Sequence, residues 1–289
     1  MLIGMFPGQG SQFPGMGREL LARYPRQCEQ ADDILGYSIA ALCAGDDPRR
    51  MASTAFTQPA IFFVSCLAWL ERNAGGAASP SLLIGHSLGL YAALFAAQAF
   101  DLETGLRLVA KRGELMAAVE GGAMAAVMGD AVEQLPELLL EHQFHGLDIA
   151  NYNSPQQAVI SGKADEIEAA CKALVSHDLR CVPLPVSGAF HSRYMEPARL
   201  RYVAFLQHQA LGCPGGQVIS STSGERLGAA HLLEEMSLQL VRPVRWAQSI
   251  AALRARHGEI TFEEIGPGQV LTRLDAQQLT PLSGVHRQG

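Results

Sequence analysis

The apolar positions along the chain fall into two regimes. At the start, Leu2–Phe6 is a short apolar run stopped by Pro7-Gly8, which predicts a buried strand. Apolar residues then recur at helical spacing from about Met16, and again from near Gln58 until Gly75-Gly76. Residues 81–84 predict a second strand, which runs into Gly85-His86-Ser87-Leu88-Gly89; 90–99 and 102–119 then read as helices. From Gly121-Gly122 the segments shorten. Residues 123–128 predict a strand, 132–142 a helix, 147–150 and 157–161 two strands, 164–177 a helix and 180–184 a strand. That order, β-α-β-β-α-β, is the ferredoxin-like arrangement. Longer helices resume at about 194–209, 227–240 and 244–257, followed by a strand at 259–263 and Gly266-Pro267-Gly268. The pattern predicts an α/β layer structure, residues 1–120 and 187–289, interrupted by a small ferredoxin-like subdomain at 121–186.

Composition narrows the class. The 289 residues are 48% hydrophobic, enough for one large core with a small satellite. A net charge of −6 without a Lys/Arg run argues against nucleic acid. Cys28, Cys43, Cys66, Cys171, Cys181 and Cys213 are scattered, with no zinc-ligand spacing, and are expected to be buried free thiols in a reducing compartment. No basic stretch precedes the apolar start, and no apolar run reaches the 18 or so residues of a membrane span. The expectation is a cytoplasmic, monomeric protein with no metal and no membrane contact.

The chemistry centres on Gly85-His86-Ser87-Leu88-Gly89, which fits G-x-S-x-G between a strand and a helix. In that setting the serine sits on a sharp strained turn, its Oγ exposed above the strand end. The glycines remove Cβ clashes, and the helix N-terminus faces the reacting oxygen. Serine needs a base. His86 adjoins it but points elsewhere on a turn and reads as structural. His142, His145 and His177 fall in polar helix ends or loops; His208, His231, His257 and His286 read as surface. His191 stands in the small-residue loop Ser187-Gly188-Ala189-Phe190-His191-Ser192, able to approach the elbow. No acidic loop between Ser87 and His191 presents a third member. A dyad oriented by a backbone carbonyl is therefore as consistent with the chain as a triad.

Taken together, several motifs resemble one family, nearly end to end: the malonyl-CoA:acyl-carrier-protein transacylases, including the trans-acting acyltransferases of polyketide synthases. The carriers are Phe6-Pro7-Gly8-Gln9-Gly10-Ser11, the elbow, Lys111-Arg112-Gly113-Glu114-Leu115-Met116, Asn151-Tyr152-Asn153-Ser154-Pro155, Gly188-Ala189-Phe190-His191-Ser192, Arg242-Pro243-Val244-Arg245-Trp246 and Gly266-Pro267-Gly268. The resemblance implies an α/β-hydrolase-like large domain with the ferredoxin-like insertion. It implies Ser87 as nucleophile, His191 as base, and Gln239 orienting the histidine through its backbone carbonyl. The oxyanion hole would be formed at Gln9 and by the Leu88 N–H. Arg112 would grip the malonyl carboxylate, a task suited to a planar guanidinium; by itself it reads as a surface arginine near a helix end. Phe190 would crowd an α-methyl branch, or simply pack. The implied partners are malonyl-CoA, as substrate, and an acyl carrier protein, with no cofactor.

One departure is Leu90, where many members carry Glu. Arg193, Arg199, Arg201, Arg242 and Arg245 lie near catalytic motifs and are candidates to meet an acidic carrier, or are solvated helix surface. Two rival readings are an acyl hydrolase of the same fold and an inactive docking paralogue. Arg112 speaks against the first and the intact Ser87, His191 and Arg112 set against the second.

Overall fold

The computed structural model describes residues 1–279; His286 and the rest of the tail lie outside the described residues. Two sheets organise the chain. The first is parallel, in the order β7-β2-β1-β8, from Leu2–Phe6 (β1), Leu82–Gly85 (β2), Val218–Ile219 (β7) and Thr261–Glu264 (β8). Its strands alternate between two cores, which is why they read as continuous apolar runs. Ile3, Met5, Leu82 and Ile84 face a layer with Trp246, Ile250, Leu253 and Leu271. Phe6 and Leu83 face the larger helical core, which includes the helix Thr54–Ala74.

The second sheet is antiparallel, in the order β4-β5-β3-β6, from Gly122–Met128 (β3), Asp148–Ser154 (β4), Gln157–Lys163 (β5) and Arg180–Pro183 (β6). With the helices Leu135–Glu141 and Ala164–Ala173 it forms the ferredoxin-like unit. Alternation again divides the faces. Ala125, Val127, Ala158 and Ile160 pack under the unit's own helices. Met124 and Val159 turn the other way and join the large core. This sheet is therefore placed to wall a cavity over the parallel one.

Several elements differ from expectation. The helical pattern from Met16 resolves into Arg18–Arg23 and Pro25–Leu35, broken where Pro25 starts a new first turn. The helix expected near Gln58 starts at Thr54, so Pro59 lies inside it. The Thr57 N–H closes the first turn on the Ser53 carbonyl at 2.9 Å, and the Thr57 hydroxyl shares its one proton between the Met51 and Ser53 carbonyls, at 2.5 and 2.9 Å. The segment 227–240 carries only the helix Leu232–Leu238 after a 3₁₀ turn. The two-residue β7 and the helix Val270–Gln278 were not foreseen. The thiols also need correction: Cys43 and Cys66 are buried, Cys28, Cys171 and Cys181 are half-buried, and Cys213 is exposed in the connection before β7.

Candidate active site

The strand–turn–helix at Gly85–Gly89 is as sharp as its glycines allow. Ser87 has φ +50°, in the left-handed region. A Cβ on Gly85 would lie 2.0 Å from the Gly89 carbonyl carbon, and one on Gly89 would lie 2.0 Å from the Phe6 carbonyl oxygen. Only glycine fits either position, so β1 and the elbow are held at backbone contact. The helix Gly89–Ala96 follows, and Leu90 and Tyr91 at its start are wholly buried. Leucine at 90 is thus a core residue here. The N–H groups of Gln9 and Leu88 have no acceptor among the described residues, and both residues line the same cavity as Ser87. The Gln9 side chain is held by Thr54, its Nε2 donating to Oγ1 at 3.1 Å.

His191 lies in the loop after β6, also at positive φ, +58°. Its Nε2 is 2.8 Å from Ser87 Oγ. Its Nδ1 is 2.7 Å from the Gln239 carbonyl oxygen and 3.2 Å from that of Arg242. Both acceptors are backbone carbonyls. They assign the proton of the neutral ring to Nδ1 and leave the Nε2 lone pair facing the serine. Burial, followed by the Arg112 charge, holds the ring well below the usual histidine range, at about 3, despite the opposing pull of the Gln239 carbonyl; His86 lowers it further and the Arg242 carbonyl raises it. His191 is therefore neutral at physiological pH. His86 is turned away from the serine. Its Nε2 meets Asn153 Oδ1 at 2.9 Å, and its ring packs on Trp246.

Arg112 is not a surface arginine. It is 1% exposed on the helix Leu102–Ala117. Gly113 lets that helix approach Thr54–Ala74 closely, since a Cβ there would lie 2.7 Å from the Thr54 carbonyl oxygen. The guanidinium donates to Gln58 Oε1 at 2.7 Å, to Gln239 Oε1 at 3.1 Å and to Ser87 Oγ at 3.2 Å. It stands 5.6 Å from the centre of the Tyr91 ring, and its Nε has no partner among the described residues. Burial pulls it below the usual arginine value, opposed by the Tyr91 and Tyr202 hydroxyls.

These groups open into a cavity of about 570 Å³ between the two sheets. Its far wall is the outward face of the small sheet, Met124, Ala126, Gln157 and Val159. Phe190 lines it beside His191, its ring held over Gly188, where a Cβ would lie 2.4 Å from the ring. The structure thus brings Ser87, His191, Arg112, Gln239, Gln9, Leu88 and Phe190 to one place. It divides the arginines: Arg193 is paired with Asp148 and Arg199 with Glu196, whereas Arg201, Arg242 and Arg245 are exposed without a carboxylate partner among the described residues. Sequence reasoning missed two contributors. Gln58 is a buried polar residue directly before the apolar run 59–64, a position that carries no motif. Val270, Leu271 and Leu274 line the cavity from the unforeseen C-terminal helix.

A parallel α/β frame with a serine elbow and a facing histidine defines the broad class of serine acyl-group enzymes. Within it, the chain belongs to the acyl transferase domain family, whose pattern matches residues 5–287. It is 45% identical over 276 residues to the polyketide biosynthesis malonyl CoA-acyl carrier protein transacylase PksC of Bacillus subtilis, covering 95% of this chain and 96% of that protein. The crystal structure of malonyl CoA-acyl carrier protein transacylase from Burkholderia pseudomallei superposes with a TM-score of 0.92 at 44% identity, covering 97% of this chain and 99% of that one. A malonyl-transacylase solved in complex with its type II PKS acyl-carrier protein gives 0.88 at 33% identity, over 96% and 93% of the two chains.

Proposed function

We propose that this chain transfers a malonyl group from malonyl-CoA to the phosphopantetheine thiol of an acyl carrier protein, in polyketide or fatty-acid synthesis, through a malonyl ester of Ser87. His191 Nε2 accepts the Ser87 proton as Oγ attacks the thioester carbonyl. The oxyanion is received by the Gln9 and Leu88 N–H groups, donors free to act where the charge develops. Coenzyme A leaves as its thiol, taking the proton from His191. The carrier thiol then gives its proton to His191 and attacks the ester. Collapse of the second tetrahedral intermediate forms the malonyl thioester and returns Ser87 Oγ–H. Arg112 holds the malonyl carboxylate throughout, and Phe190 narrows the space beside its α-carbon. No step calls for a cofactor or metal. We place the small unit at residues 121–186, the rest forming the catalytic body, and the reaction in the cytoplasm, carried out by a monomer.

The observation that carries this reading is a buried arginine within 3.2 Å of a serine Oγ that is itself 2.8 Å from a neutral histidine. A hydrolase of simple acyl chains has no use for that cation. Malonyl-CoA is expected to label Ser87 covalently, as read by mass spectrometry of the intact protein, and Ser87→Ala to abolish the label. Persistent labelling of the variant would overturn the assignment.

A further inference from the structure

The partners of Arg112 share a property the mechanism has not used. Gln58 Oε1, Gln239 Oε1 and Ser87 Oγ are all uncharged oxygens. Among the described residues no carboxylate bears on the guanidinium: the groups that raise its basicity are the Tyr91 and Tyr202 hydroxyls. A buried arginine ordinarily has an acidic partner, because burying a lone charge is costly. Here two carboxamides, each about 1% exposed or less, occupy the places where such acids would stand. Gln58 reaches the guanidinium from Thr54–Ala74, and Gln239 from the turn after Leu232–Leu238. Gln239 also donates through Nε2 to the Ser87 carbonyl at 2.9 Å, so its side chain links the arginine to the elbow backbone.

We propose that Gln58 and Gln239 are specificity-determining positioning residues: their carboxamides hold Arg112 in place with neutral oxygens and so keep its charge uncompensated for an anionic acyl group. Glutamate at either position would have the same shape and would also accept from the guanidinium, but it would supply an internal counter-ion. The substrate carboxylate would then have to compete for a cation already neutralised, while an uncharged acyl group would lose its penalty for entering beside a bare positive charge. Discrimination between malonyl and acetyl groups thus rests on the absence of an acid as much as on the presence of Arg112. This inference depends on the proposed function, in which Arg112 holds the acyl carboxylate.

The test compares Gln58→Glu with Gln58→Met, a neutral replacement of similar length. Acyl loading of Ser87 is followed with malonyl-CoA and with acetyl-CoA, after the folded state has been checked by circular dichroism. Gln58→Glu is expected to lower the malonyl-to-acetyl ratio of kcat/KM by about tenfold or more, chiefly through the malonyl-CoA KM. Gln58→Met releases one hold on Arg112 but adds no charge, so the ratio should fall far less than in Gln58→Glu. An unchanged ratio in a folded Gln58→Glu protein overturns the proposal, as does an equal fall in Gln58→Met. Should Gln58→Glu fail to fold, Gln239→Glu is compared with Gln239→Met, since both lose the donor to the Ser87 carbonyl and only the glutamate adds a charge, with the same prediction and the same reversal. Failure of the underlying reading would look different: the wild-type protein itself would not load malonyl in preference to acetyl.

Discussion

At the scale of single residues, the site's chemistry is set by what surrounds each side chain more than by its type. The motifs singled out Ser87, His191 and Arg112, but the burial of Arg112 was not legible, because a lone arginine beside a lysine near a helix end is ordinarily solvated. Gln58 escaped notice because a glutamine in a helix carries no chemistry of its own. The same burial makes His191 a proton-linked element of stability. In the unfolded chain an imidazole takes up a proton near pH 6.5, whereas in the folded protein it is held to about 3. Its contribution is therefore complete above the unfolded value and lost as pH falls towards the folded one, because only the unfolded state gains the proton in that window. From pH 7 to pH 5 the loss should be about 2 kcal/mol. His86, shifted in the same direction, adds to it. Urea unfolding at the two pH values should show a clearly smaller decline for His191→Gln than for wild type; equal declines would mean that the ring is not held neutral.

At the scale of elements, the strands with alternating or continuous apolar runs were legible, and so were the helices bounded by glycine pairs. β7 was not, because two residues hold no period; it exists through its pairing of Leu83 with Val218 and Ile84 with Ile219. The helix Val270–Gln278 was hidden by its short length and by the Gly-Pro-Gly turn, which reads as an ending. The elbow was legible because its requirement is local: two glycines flanking a serine at fixed spacing. That requirement gives a sharp contrast between two Gly→Ala changes. In Gly89→Ala the new methyl would overlap a backbone carbonyl of β1, which has no flexible end to move aside. A loss of more than about 3 kcal/mol, or failure to fold, is expected. In Gly228→Ala nothing lies within 4 Å of the new Cβ and the backbone is extended, so stability should change by less than about 0.5 kcal/mol. Thermal denaturation of the two variants decides the point; a Gly89→Ala protein as stable as Gly228→Ala would show that β1 does not press on the elbow.

At the scale of the whole molecule, the β-α-β-β-α-β order made the two-part architecture readable. What no sequence pattern showed is that the small sheet turns one face inward to wall the cavity. The seam between the parts is tied by the segment 242–245. Val244 N–H donates to the Ala150 carbonyl of β4 at 2.8 Å, and its carbonyl accepts from Tyr152 N–H at 2.8 Å, while the Arg242 carbonyl reaches His191. Arg245 follows directly, its backbone N–H bound to the Ser221 carbonyl at 2.7 Å and its side chain exposed. On a molecule of net charge −6, an exposed arginine at this seam, without a carboxylate partner among the described residues, would be a local attraction for an acidic carrier protein against an overall repulsion. Arg193 is a poorer candidate, because Asp148 already occupies its guanidinium. Arg245→Glu, alone and combined with Arg201→Glu, should raise the carrier KM several-fold at low ionic strength. The effect should shrink near 0.15 M salt, where screening acts within about 8 Å. Formation of malonyl-Ser87 from malonyl-CoA should proceed at the wild-type rate, since neither side chain reaches the cavity lining. An unchanged carrier KM would reject this docking face, and a raised malonyl-CoA KM in its place would assign the arginine to the phosphates of coenzyme A.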